Sequence, residues 1–347
     1  MNATRVLAAC TRGGAGDLLA AMPAINALHR RFGVAIDVLA STYAAAVVLG
    51  QPAVGEILSD DGALPLRLLV EQLRARDYSH VIVFWSDPRI AKAVWQAGIP
   101  IRVGQSRRLY SFRYTKRVDI RSESGDMHSH WTDIQMDYAR ALGAEPIPAD
   151  FRISVQTTAQ DEQEADALLA RTVGDRPFII LHGARGITAY AARWPSARFA
   201  ALGDALASAF ACPVILTGSQ KEAALAARTA AAMRQPVFDA SGATTLRGFA
   251  ALARRATLVV ALDSGPMHIA AGVGAPTVGI FTLRTDLPDR WRPLGPRVEL
   301  VRPSYPCPPR CRKETCRTFA CYAALDTGSV VAAARRVLHQ GDAAEAS

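Results

Sequence analysis

A chain of 347 residues, half of them apolar, is long enough for two domains with cores of their own, and its formal charge of +9 gives it a basic balance. The amino-terminal MNATRVLAACTRGGAGD has no apolar run between a basic start and a small-residue cleavage site, and the longest uncharged window, Ser264 to Leu283, is broken by glycines, prolines and His268. A secretory leader and a membrane span are therefore not expected; the six cysteines are expected as thiols of a reducing compartment, and the setting as cytoplasmic.

In chain order, RVLAAC, AIDVLA, EILS, HVIVFW and IRVG are short apolar runs separated by helical patterns, the first helix starting near Asp17. Such alternation predicts βαβ units and a parallel sheet. From Leu109 to Met127 the chain is polar and irregular, then comes a helical WTDIQMDYARALGA and a proline-rich linker from Glu145 to Phe151. A strand RISV and an acidic helix from Gln160 follow, and the domain boundary is expected between residues 160 and 161. FIILHG, PVILTGS, PVFDAS, TLVVALDS and PTVGIF then alternate with helices as a second doubly wound unit. A Pro/Cys/Arg-rich segment, a helix around Ser329 to Leu338 and a polar tail end the chain.

The chemistry-bearing residues fall where predicted strands end. After the first strand, Gly13, Gly14 and Gly16 permit a tight turn and lead to Asp17. The spacing is neither a dinucleotide fingerprint nor a Walker A loop. Asp17 can cap the following helix or act as a general base on a substrate hydroxyl. In the second half, HGARGITAYAARWPSARF, TGSQKEAALAAR and LDSGPMHIA follow three strands and so share one sheet edge. His182, Arg185 and Arg193 offer cations or donors, and Glu222 can accept from two neighbouring ribose hydroxyls. Ser264 and Gly265 can donate to a diphosphate at a helix start. Asp263 in the same turn reads equally well as a cap.

The pair GGAGDLLAAMPAI and LDSGPMHIAAGVGAPTVGIF, in that order from about Arg5 to Leu325, resembles glycosyltransferase family 9, the lipopolysaccharide heptosyltransferases and their relatives. The resemblance implies an α/β chain of GT-B architecture, with two facing Rossmann-like doubly wound domains and a C-terminal helix. Residues 1–160 would bind the acceptor and residues 161–347 the nucleotide sugar. It puts the catalytic base on Asp17, sets Asp263 to anchor the turn or donor hydroxyls, and turns Ser264, Gly265 and His268 toward diphosphate. The family's K-x-W-P reads A-R-W-P here, with Ala192 in the lysine's place, so Arg193 or Arg185 is expected to supply that charge.

The implied reaction is an inverting, metal-independent transfer of a heptose or related sugar from an ADP-sugar to an anionic glycan such as the lipopolysaccharide inner core. No cofactor is required for it. The basic stretch Arg102 to Arg121, with Arg107, Arg108, Arg113 and Lys116, would meet a lipid-linked anionic acceptor at the inner membrane face, and no nucleic-acid partner is expected. A nucleotide-sugar epimerase of the same architecture and a non-catalytic sugar-nucleotide or nucleic-acid binding module are the alternatives. Cys307, Cys311, Cys316 and Cys321 could hold a structural zinc or iron, as such a cluster does in one branch of the resembled family. They lack C-x2-C knuckles, so reduced thiols packed at a domain edge are the competing reading.

Overall fold

A computed structural model describes residues 4–85, 87–183, 196–282, 287–302, 304–307, 316, 318 and 320–345, without the side chains of 341–345. Its first sheet is built from β1 (Val6–Cys10), β2 (Ile36–Ala40), β3 (Val54–Ser59), β4 (His80–Val83), β5 (Ile101–Gln105) and β6 (Lys116–Val118). They lie in the order β3-β2-β1-β4-β5-β6, and every pairing is parallel. Central strands of parallel sheets are covered on both faces, which is why VLAAC and IDVLA are buried throughout, Asp37 included.

The second sheet contains β7 (Ile179–His182), β8 (Val214–Leu216), β9 (Val237–Asp239), β10 (Leu258–Leu262), β11 (Thr277–Ile280) and β12 (Val298–Val301), in the order β12-β11-β10-β7-β8-β9. Read from β9, this is the arrangement of the first sheet repeated. In each sheet the strand order reverses beside the first strand, between β1 and β4 and between β7 and β10. Ligands bind outside the carboxyl ends of strands at such switch points.

The chain divides into two compact units, Met1–Gln156 and Thr157–Ser347. The acidic helix Ala159–Ala170 belongs to the second. Asp161 pairs with Arg247 at 3.1 Å, and Glu164 accepts from the Thr245 backbone N–H at 2.6 Å. RISV is not a strand. It runs without a backbone partner strand, and the Ser154 carbonyl is taken by the Gln51 amide at 2.5 Å. Two strands go beyond the sequence reading, β6 inside the supposedly irregular basic stretch and β12 near the end. The final helix, Thr327–Glu345, buries Val330, Ala333, Ala334 and Val337 in the second core, a spacing that puts all four on one helical face.

Candidate active site

The chain leaves β1 through Thr11, Arg12 and Gly13. Gly13 has φ +99°, a left-handed conformation that a side chain strains, and a Cβ there would lie 2.6 Å from the Asp17 carboxylate. The helix Ala15–Phe32 then begins, with Gly14 as its N-cap. Asp17 sits at the third helical position and its Oδ2 accepts the Gly14 N–H at 2.7 Å. That bond satisfies an otherwise orphan donor, so the capping role weighed for Asp17 is real. It also fixes the carboxylate at the switch point. Burial raises the Asp17 pKa above its ordinary value, against the lowering effect of the backbone hydrogen bonds.

Across the switch point lies a residue that sequence reasoning passed over. Asp87, buried, caps the helix Pro88–Gln96 by accepting from the backbone N–H groups of Arg89 and Ile90 at 2.9 and 3.2 Å. It also accepts from the Thr11 hydroxyl at 3.0 Å and lies 3.5 Å from the Arg12 guanidinium, which ties the ends of β1 and β4 together. The Asp-Pro pair was its signal.

At the opposite, amino edge of this sheet, Asp37 accepts from Arg5, from the Tyr78 hydroxyl and from the Glu56 backbone, all within 2.9 Å. Those bonds make it a structural hub away from the candidate site.

In the second unit, buried polar side chains gather at the carboxyl edge. His182 ends β7, Thr217 follows β8, Asp263 follows β10 and Thr282 follows β11, while Glu222 ends the short 3-10 turn Gln220–Glu222 and His268 lies in the helix that follows β10, each no more than 9% exposed. Burying so many polar groups is costly unless they are satisfied or serve a ligand. The pairing of Ala261 with His182 sets the ends of β7 and β10 side by side.

His182 Nδ1 is 3.0 Å from the Thr217 hydroxyl, and burial, opposed by Glu222, pulls its pKa down to about 4. It is thus neutral near pH 7, a hydrogen-bonding group and not the cation that the sequence also allowed. Glu222 Oε2 accepts from both the backbone N–H and the hydroxyl of Ser219, at 2.8 and 2.7 Å. Ser264 is the N-cap of the helix Gly265–Gly272, but its hydroxyl donates back to the Leu262 carbonyl at 2.8 Å. The diphosphate donor expected of Ser264 is therefore already engaged, and the helix start carries no side-chain cap.

Arg185 and Arg193 lie outside the described residues, as does Cys311.

The basic stretch is less free than its composition suggests. Arg108 pairs with Glu123, and the Lys116 ammonium donates to the Ala141 carbonyl at 2.8 Å. Arg113 stacks over the Phe112 and Trp95 rings. Arg107 and Lys116 are the exposed cations of the four, and Arg107 lies 3.9 Å from Asp119.

Cys307, Cys316 and Cys321 are free thiols packed on the second core, and burial followed by the neighbouring Cys307 and Cys316 pushes Cys321 up to about 12. Among the described residues no three His, Cys, Asp or Glu side chains are disposed to hold a metal.

Two doubly wound units of one strand order, each with polar groups at its switch point, make up a paired Rossmann-like architecture. The profile of glycosyltransferase family 9 (heptosyltransferase) matches residues 66–321, most of the chain, and the chain belongs to that family. It is 25% identical over 303 residues to lipopolysaccharide heptosyltransferase 2 of Escherichia coli, covering 83% of this chain and 85% of that protein. A family 9 glycosyl transferase from Veillonella parvula superposes with a TM-score of 0.81 at 19% identity, over 97% of this chain and 98% of that one. The E. coli ADP-heptose lps heptosyltransferase II does so with a TM-score of 0.78 at 20% identity, over 98% and 100%. The GT-B fold expected from the resemblance is thus the fold found, and the protein is a heptosyltransferase-like glycosyltransferase.

Proposed function

We propose that this enzyme transfers a heptose, with inversion, from ADP-heptose to a hydroxyl of an anionic, lipid-linked glycan. The observation that carries the reading is the Asp17 carboxylate, fixed at the β1 switch point by the Gly14 N–H and made more basic by burial. A base of raised pKa takes a hydroxyl proton more readily than an exposed acid does. As the acceptor oxygen attacks the anomeric carbon from the face opposite the nucleotide, its proton passes to Asp17. The bond from that carbon to the diphosphate oxygen breaks, and ADP leaves with the electron pair.

The departing charge needs donors already aimed at it. The uncapped helix start at Gly265, with Arg185 and Arg193, would supply them in place of a divalent cation. Glu222 and Asp263 would bind donor hydroxyls, and His268, together with the neutral His182, would complete the polar wall. Arg107 would meet the acceptor's negative charge; Arg108 and Lys116, already engaged, act chiefly in holding their own loops. ADP-heptose is the donor named for the similar E. coli enzyme.

Thermal shift with a panel of nucleotide sugars tests the donor assignment, since a ligand held by the folded state alone raises Tm in step with its affinity. ADP-heptose is expected to raise Tm above ADP-hexoses and UDP-sugars at equal concentration. A larger shift with a UDP-sugar would displace the reading.

A further inference from the structure

On the flank of the first unit, three large apolar side chains stand in solvent among cations. Leu109 is 100% exposed, Phe112 61% and Trp95 47%. Arg113 draws two of them together, its guanidinium carbon lying 4.9 Å from the Phe112 ring centroid and 6.0 Å from that of Trp95, and Leu109 stands in the tight turn just before Phe112, closed by the Ser111 N–H donating to the Arg108 carbonyl at 2.9 Å. Lys92, three residues before Trp95 on the helix Pro88–Gln96, is exposed. Arg117 of β6 pairs in register with Gly104, where a Cβ would run into the Tyr114 ring, and Tyr114 packs in the core beneath that same helix. Its side chain therefore leaves the sheet on the patch side. Neither Lys92 nor Arg117 has a carboxylate partner among the described residues.

We infer that this patch seats the enzyme on an anionic bilayer surface, with Leu109 and Phe112 entering the acyl boundary and Trp95 at the level of the headgroups. Lys92, Arg113 and Arg117 would lie against lipid phosphates. The chemistry is that of an interfacial anchor: protruding apolar side chains and an amphipathic aromatic give depth, and basic residues give attraction to an anionic leaflet. A nucleic acid would use the cations and the rings but gains nothing from a fully exposed leucine, and Arg113 already stacks on both rings. No helix among the described residues is long and apolar enough to cross a membrane, so anchorage through them is peripheral. The inference rests on the lipid-linked acceptor only for its purpose; its test needs no turnover, so the two can fail separately.

The test is flotation of the full chain with vesicles of phosphatidylcholine alone or mixed with phosphatidylglycerol, at low and high salt, for wild type and for Leu109→Asp/Phe112→Asp. Wild type is expected to float with the anionic vesicles, less so in high salt, and the double variant to bind at least about tenfold more weakly with Tm and ADP affinity unchanged. The single variant Leu109→Ser is expected to lie between them. Three results would overturn the inference. These are no flotation of wild type with anionic vesicles at low salt, equal flotation of the double variant, or a wild-type dimer in size-exclusion chromatography that the double variant breaks.

Discussion

The Gly14 N–H donates to the Asp17 carboxylate at 2.7 Å, so one short hydrogen bond both caps the first helix and aims the acid of the candidate site. The two roles separate chemically, because an amide can still accept that bond but cannot take a proton. Asp17→Asn is therefore expected to keep its melting temperature and donor affinity while turnover falls by about 100- to 10,000-fold. Measured kcat near that of wild type would leave Asp17 with the cap alone.

Gly13 and Gly14 should respond oppositely to alanine. At Gly13 the positive φ and the 2.6 Å approach to Asp17 Oδ2 make a Cβ strained and displace the acid, for a stability loss of about 1 to 3 kcal/mol and a larger fall in turnover. Gly14 has φ −102° with nothing within 4 Å of a built Cβ, so Gly14→Ala should fold and turn over nearly as wild type. Urea unfolding and steady-state kinetics on both variants check this. Equal effects would mean that the turn does not position Asp17.

Because burial raises the Asp17 pKa, kcat/KM should climb with pH through a limb lying above the ordinary carboxylate range. The limb should be missing from the residual activity of Asp17→Asn. For stability the sign is reversed. The folded state holds this proton more tightly than the unfolded chain, so Asp17's contribution falls as pH rises from the ordinary carboxylate value through its folded one. A pH profile flat across this range in wild type would contradict the assignment.

His182 works the other way. With its folded pKa drawn down to about 4 by burial, the unfolded state binds more protons between that value and 6.5. Stability should therefore be lost as pH falls across this window. His182→Asn, which cannot titrate, should show a correspondingly smaller difference between urea unfolding at the two ends of the window. An unchanged difference would place the acid sensitivity elsewhere.

Much of the fold was legible because buried parallel strands write themselves as short apolar runs between helices, and β1, β2, β7 and β10 are such runs. β6 was missed since KRV is a three-residue edge strand whose exposed cations carry no apolar signal. RISV misled for the converse reason: its alternation fits a strand, but strand formation needs a free sheet edge, which local pattern does not encode. At the site, the glycines, Asp17, Glu222 and the Asp263 turn were visible as residue types at strand ends. The neutrality of His182 and the place of Thr217 depend on burial and on neighbours distant in sequence, and the turning back of the Ser264 hydroxyl onto the Leu262 carbonyl, though local, depends on a rotamer that residue types do not encode.

The Cys321 thiol, pushed up to about 12, should resist alkylation near pH 8 in the folded protein and react once unfolded. Elemental analysis of protein purified without a tag or chelator should find less than about a tenth of an equivalent of zinc or iron. A stoichiometric metal, with loss of this segment's protection when it is removed, would make the four cysteines a structural clip.

The most direct measurement is product analysis: the enzyme is incubated with ADP-heptose and a lipid-linked core acceptor, and nucleotide, donor and glycan are followed by mass spectrometry and NMR. The expected result is one ADP released per heptose joined to the acceptor, with inverted anomeric configuration and with the rate collapsing in Asp17→Asn. An altered donor sugar without transfer, a retained configuration, or transfer undiminished in Asp17→Asn would contradict it.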